Sequence, residues 1–255
     1  MTSVIIVGSG NVAASFCKMI LQSNSLLLKA IVARNEVEGN KLAANFGTSY
    51  FSIETNVLPE ADVMIIAVSD ANIKQAAALI SNDKSILVHT AGAVSMEVLA
   101  PFARHFGVLY PLQSLNKNDK ESHDTPILYD GSDADTIERL AIIAKELSPQ
   151  SFLVSDEDRS RYHLSAVFVN NFINHLFTVV YDYCKKNELD FSLLLPLIKA
   201  TAQKVSDASP ETLQTGPAIR NDKITIQRHL NLLEGEEQMK KIYQLLTESI
   251  AVSLK

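Results

Sequence analysis

Residues 4–16 read VIIVGSGNVAASF. An apolar, β-branched run gives way at Gly8 to a small-residue turn and then to a segment of helical period, which predicts a strand, a tight loop and a helix in immediate succession. Gly8, Gly10 and Ala13 stand in the spacing Gly-x-Gly-x-x-Gly/Ala. The first glycine turns the chain sharply, the second lets the backbone approach a pyrophosphate, and the alanine permits close packing of helix on strand. The helix start would then offer unpaired N–H groups and partial positive charge to the phosphates. The spacing alone is a weak signal, and an ordinary glycine turn is the alternative. With a strand before it and a helix after it, it selects a dinucleotide loop in which Gly8, Ser9, Gly10, Asn11, Val12 and Ala13 contact the cofactor.

Working outward, strands are expected at 28–33, 63–68, 86–89, 107–110, 125–129 and 151–154 besides 3–7, with helices at 12–22, 38–46, 71–80, 95–103 and 133–147. That alternation is the pattern of an α/β doubly wound, mostly parallel sheet, which binds ligands at the carboxyl ends of its strands. After residue 154 the strand signals stop. A charged stretch, SDEDRSR at 155–161, leads into helical periods, with Ser155 and Asp158 spaced as a capping box. Further helices are expected at 190–207 and 235–253, separated by ASPETLQTGPAIRND at 208–222. The reading is a dinucleotide-binding domain over 1–154 and an all-α substrate or dimerisation domain over 155–255.

The composition narrows the function. Of 255 residues, 47% are hydrophobic and 20% charged, and the formal net charge is −6. Such apolar content excludes a disordered chain, and 9 Gly with 8 Pro exclude collagen-like or low-complexity architectures. Without a Lys/Arg block, nucleic acid is not an expected partner. Cys17 and Cys184 stand alone, too few for a disulfide framework or a zinc site. The opening MTSVIIVGSG lacks the features of a signal peptide, and the longest apolar candidate, 164–181, is interrupted by Asn170, Asn171, Asn174 and His175. A cytoplasmic protein with no membrane span is expected, acting on a small-molecule substrate. The apolar stretch 168–180 exceeds what a domain of about 100 residues readily covers, so a homodimer is expected as well.

The second strand ends in ARN, placing Arg34 and Asn35 where a dinucleotide's ribose is read. A cation there pairs with a 2′-phosphate and favours NADP; the alternative is that Glu36 takes the hydroxyl of NAD. DVMIIAVSD at 62–70 brings Ala67, Val68 and Ser69 to cover adenosine and diphosphate. HTAGA at 89–93 puts His89, Thr90 and Gly92 toward the nicotinamide, His89 being either a contact there or a hydrogen-bonded strand-end residue. A helical wheel over 162–183 gathers His163, Asn170, Asn171, Asn174, Thr178 and Tyr181 into a sector of about 100°. Neutral hydrogen-bonding groups in place of Lys and Glu suit a stripe facing a partly enclosed cleft, with a wet helix–helix interface as the alternative.

These motifs resemble the group containing pyrroline-5-carboxylate reductases, deazaflavin-dependent NADP oxidoreductases and β-hydroxyacid dehydrogenases. HTAGA, YPLQS at 110–114, YHLSAVFVNNF at 162–172 and TGPAIRND at 215–222 are similar to a Rossmann-like oxidoreductase family whose C-terminal domain has no assigned function. The resemblance covers nearly the whole chain and implies the fold and NADP, but no substrate. It also exposes a departure: β-hydroxyacid dehydrogenases carry Lys-x-x-Asn-Asn on this helix, with lysine as acid/base, and VFVNNF puts Val167 at the lysine. His163, one turn earlier, is the replacement expected to donate the proton, histidine titrating near pH 6.5, while Asn171 would orient the substrate and Asn170 and Asn174 would contact it. His89 is a second position for a titrating group. Arg220 could clamp a substrate anion or merely pair with Asp222. No metal is expected. The reading is an oxidoreductase moving hydride between NADP and a small carbonyl, hydroxyl or imine; its rival is a non-catalytic NADP sensor, a reading the missing lysine supports.

Overall fold

The computed structural model describes residues 1–55, 57–81, 84–117 and 125–252. Its strands are β1 (Thr2–Val7), β2 (Leu26–Ala33), β3 (Ser49–Ser52), β4 (Val63–Ile66), β5 (Ile86–His89), β6 (Phe106–Pro111), β7 (Ile127–Gly131) and β8 (Ser151–Leu153). They form one sheet in the order 3-2-1-4-5-6-7-8, parallel throughout except between β6 and β7. The order reverses between β1 and β4, and in a doubly wound sheet that is where a crevice opens at the strand ends.

Both faces of the sheet are buried, which is why its strands read as continuous apolar runs. Successive residues point to opposite sides: Val4 and Ile6 of β1 join Val63 and Ile65 of β4 in one core, while Ile5, Val7, Met64 and Ile66 build the other. Helix α1 (Asn11–Gln22) closes the first core with Ala13, Phe16, Cys17, Met19 and Ile20. Burial pushes the Cys17 thiol up to about 12, so it acts as a small core side chain and not as a nucleophile. The other helices of this part are α2 (Glu36–Asn45), α3 (Ile73–Leu79), α4 (Ala134–Leu147), capped by Asp133 through the Thr136 N–H, and α5 (Asp156–Ala166).

Within this part, two elements differ from the sequence reading. The helix expected at 95–103 is one 3₁₀ turn, Met96–Leu99, since Pro101 has no N–H with which to continue it. β3 was not expected; it is a four-residue edge strand, fixed by its pairing with β2 and not by a pattern of its own.

The chain forms two compact units, 1–172 and 173–255. The sheet ends near residue 154, as expected, but α5 stays with the first unit because its first turn is tied to the loop after β5. Asp156 accepts from the Met96 N–H (2.9 Å) and the Ser95 hydroxyl (2.5 Å), and the fully buried Arg159 donates to the Val94 carbonyl. The second unit holds α6 (Ile173–Lys186), α7 (Leu195–Asp207), α8 (Pro210–Leu213), α9 (Lys223–Leu232) and α10 (Glu237–Val252). The expected end of the last helix, Ser253, lies outside the described residues. Of residues 173–252 only Cys184 and Leu233 are buried. By length and composition, Asp156–Lys186 is long and apolar enough to cross a membrane, with a stretch of mean hydropathy 1.3, although Asn170, Asn171, Asn174 and His175 interrupt it.

Candidate cofactor and substrate site

The loop after β1 and the ends of β2 and β4 enclose a cleft of about 430 Å³. Of the residues expected to contact a dinucleotide, Gly8, Ser9, Gly10, Asn11, Val12, Arg34, Asn35, Ala67, Val68 and Ser69 line it. Ala13 does not; it is fully buried against the core, the close packing its position demands. The two glycines act differently. Gly8 has φ +134°, and a Cβ there would lie 2.3 Å from the Ala67 carbonyl oxygen, so any side chain would force β1 and β4 apart. A Cβ on Gly10 would meet no protein atom within 4 Å. The space it leaves is open at the start of α1, where N–H groups are unpaired, and this cradle fits a pyrophosphate.

At the far end, the Arg34 guanidinium donates to the Gln75 side-chain oxygen (2.8 Å) and lines the cleft. Asn35 caps α2 by accepting from the Glu38 N–H (3.1 Å). Glu36, the alternative reader of the ribose, is not among the lining residues. The arrangement at this end is cationic.

A second cleft, of about 570 Å³, also lies within the first unit and shares Val12 with the first. Its polar lining includes Tyr110, Gln113, His163, Asn170 and Asn171. His163 Nδ1 lies 2.9 Å from the Tyr110 hydroxyl, with the rings edge to face at 5.7 Å. Residues Val167–Phe172 form a π-helical segment, a rare widening often found at functional sites. Through it the consecutive Asn170 and Asn171 both reach the lining, together with Val167, the position of the missing lysine.

Three expected site residues are placed elsewhere. The wheel assumed an uninterrupted α-helix; the π segment breaks that period, and Asn174 belongs to the second unit and lines neither cleft. Arg220 is exposed on the second unit and lines neither cleft, and Asp222 uses its carboxylate to cap α9 through the Thr225 N–H (3.0 Å). His89 is fully buried and faces neither cleft. Its Nδ1 accepts from the Ala91 N–H (3.1 Å), and Nε2 meets no partner at hydrogen-bonding geometry. Burial, with the Arg159 guanidinium, lowers its pKa to about 4 against the opposing pull of the Ser95 carbonyl and Asp156. Buried and lining neither cleft, His89 is placed as a core residue and not at the nicotinamide contact expected of it.

The sequence reading assigned no role to Tyr110 or Arg159, and it placed Gly92 toward the nicotinamide as a small residue, not against the His163 ring. Tyr110 was visible as a strand-end tyrosine opening the YPLQS motif, with no role attached, and Arg159 sat in a charge run that reads as solvated. Its burial depends on a loop more than sixty residues away.

Comparison with known proteins agrees with this geometry. The family described as NADP oxidoreductase coenzyme F420-dependent matches residues 3–92, and a domain of unknown function, DUF2520, matches residues 125–250. A protein from Bacteroides fragilis described as a candidate NADP oxidoreductase is 32% identical, with 98% of each chain covered and a TM-score of 0.90. The chain belongs to this two-domain NADP oxidoreductase family. NADP, the cofactor expected from the ARN strand end, is the family's cofactor. More distant members of the fold include a 1-pyrroline-5-carboxylate reductase from Streptococcus pyogenes (13% identity, 98% of each chain, TM-score 0.65). An imine reductase from Myxococcus stipitatus, solved with NADP⁺, is similar at 13% identity over 99% of this chain and 94% of that one, with a TM-score of 0.63. No curated protein matches the chain in sequence.

Proposed function

We propose that this member of the family reduces, or oxidises in reverse, a small carbonyl, hydroxyl or imine substrate with NADP. One observation carries the reading: the cleft lined by the Gly8–Gly10 loop and the cleft holding His163 with amide side chains meet at Val12. Gly8, Gly10 and the start of α1 would hold the pyrophosphate, and Arg34 the 2′-phosphate. The bound cofactor supplies the hydride chemistry. The protein's share is orientation and a proton: Asn170 and Asn171 hold the substrate's polar groups, and His163 gives a proton to the oxygen or nitrogen of the double bond. A sensor would need none of this second lining. The test is loss of NADPH absorbance over a panel of ketoacids, hydroxyacids and cyclic imines. Turnover is expected; tight NADPH binding with no turnover of any compound would select the sensor instead.

We propose in addition that the chain works as a homodimer joined through its helical unit. Ordering a residue costs about 1.5 kcal/mol in conformational entropy, and apolar burial returns about 25 cal/mol per Å². Two buried side chains in residues 173–252 cannot offset that cost, while Leu193, Leu197, Ile224 and Leu245 are each more than 60% exposed. Light scattering at micromolar concentration should give twice the 28.0 kDa chain mass. A monomer would overturn the proposal.

A further inference from the structure

We infer that Tyr110 is a positioning residue that fixes which nitrogen of His163 faces the cleft, holding Nδ1 and presenting Nε2. The inference deepens the role proposed above for His163. It rests on three independent features of the first unit.

The first is the pair itself. The 2.9 Å contact and the edge-to-face rings define one orientation of the imidazole, with Nδ1 toward the phenol. The second is the frame behind it. Tyr110 is 9% exposed on β6, paired through its backbone with Leu128 of β7, so the phenol stands on the sheet. His163 lies one turn beyond Arg159, whose buried guanidinium donates to the Val94 carbonyl outside α5 and to Asp156 within it. The third is the wall. A Cβ on Gly92 would lie 2.6 Å from His163 Nδ1 and 2.8 Å from Tyr110 Cζ, so the turn after β5 leaves no room for a side chain beside the two rings as they stand. A side chain at position 92 would have to displace one of the two rings.

The chemistry follows from the phenol's two roles. Burial raises the Tyr110 pKa, opposed by Arg159 and assisted by Asp70, so the phenol keeps its proton. A neutral imidazole has one N–H and one acceptor nitrogen. With the phenol donating to Nδ1, the neutral ring carries its proton on Nε2. When the ring is protonated, Nδ1–H donates to the phenol oxygen and Nε2–H still faces the cleft. After Nε2 gives that proton to the substrate's oxygen or nitrogen, the ring is neutral with hydrogen on Nδ1, accepted by the same phenol oxygen, until solvent restores the proton on Nε2. The tyrosine thus supports each state of the ring without ionising.

The test begins without substrate or cofactor. Nitrogen-15 NMR of the full chain with labelled histidine, at a pH where the ring is neutral and with His163→Gln to assign the signal, should show Nδ1 unprotonated and Nε2 protonated. Tyr110→Phe, which removes one oxygen, should give a mixture of tautomers. A proton on Nδ1 in the wild type, or an unchanged spectrum in Tyr110→Phe, overturns the inference whatever the protein's activity. With a substrate in hand, Tyr110→Phe should lower kcat about tenfold without changing NADPH affinity, and should cost nothing further in a His163→Gln background, because residues acting as a unit are not additive. An equal loss in both backgrounds would also overturn it. The absence of turnover in the wild type would count against the proposed activity while leaving the tautomer result standing.

Discussion

Tyr110–His163 and Tyr243–His229 are nearly the same object placed in two settings. Each joins a ring nitrogen to a phenol oxygen at 2.9 Å, with ring centroids 5.7 Å apart and interplanar angles of 74° and 80°. The first stands between a sheet strand and an anchored helix, against Gly92, and lines a cleft with Gln113, Asn170 and Asn171. The second joins α9 to α10 in the unit where two side chains are buried, and it lines neither cleft described above. Local geometry therefore does not make a site. What separates the pairs is a rigid frame and an adjoining space in which a substrate's polar atoms would find partners.

The largest expected effect breaks or upholds that distinction directly. His163→Gln keeps a hydrogen-bonding group of similar reach but cannot titrate, and it should lower turnover by roughly 10² to 10⁴ with NADPH affinity unchanged. His229→Gln should leave turnover within about twofold, since it removes a surface tie between helices. Steady-state rates of both variants, measured beside NADPH titrations, decide the matter. Similar losses in the two would mean that the frame around Tyr110 confers nothing.

The same contrast explains what could be read from the sequence. Everything legible was local: Gly8, Gly10 and Ala13 within six residues, the ARN strand end, and strands whose apolar runs declare burial on both faces. The Tyr110–His163 pair was not, because its members are brought together by a sheet strand and by α5, whose first turn Arg159 and Asp156 bond to the loop after β5. A charge run looks solvated until one of its members is found buried. Likewise the wheel that grouped Asn174 with His163 assumed a constant 100° per residue, and the π segment at Val167–Phe172 does not keep that period. β3 escaped because four half-exposed residues carry no period to detect.

His89 offers a smaller effect that sharpens the comparison from inside the core. Its folded pKa is about 4, against about 6.5 for an unfolded histidine. Between those values the unfolded chain binds a proton that the folded chain refuses, so stability falls as pH drops from 6.5 to 4 and is independent of this group above 6.5. The full difference is on the order of 3 kcal/mol. Urea unfolding across that window should show a slope with pH that is shallower in His89→Gln by up to one proton. Equal slopes would mean that His89 charges freely and belongs with the solvent-facing histidines.

Two arginines carry the comparison to its smallest term. Arg34 lines the cofactor cleft and donates to Gln75; Arg220 is exposed on the helical unit. If the 2′-phosphate pairs with Arg34, Arg34→Ala should weaken NADPH binding by roughly 1.5 to 3 kcal/mol, the range for hydrogen bonds to a charged group, and spare NADH, which has no phosphate there. Because Arg34 is exposed, salt screens part of the attraction, so the loss should lie toward the lower figure at physiological ionic strength and grow as salt is removed. Arg220→Ala should leave both nucleotides unaffected. Fluorescence titrations with NADPH and NADH at two salt concentrations read all of these terms. A loss shared equally by the two nucleotides would show that Arg34 only supports the loop, and would return the ribose to Glu36, which the present geometry places outside the cleft.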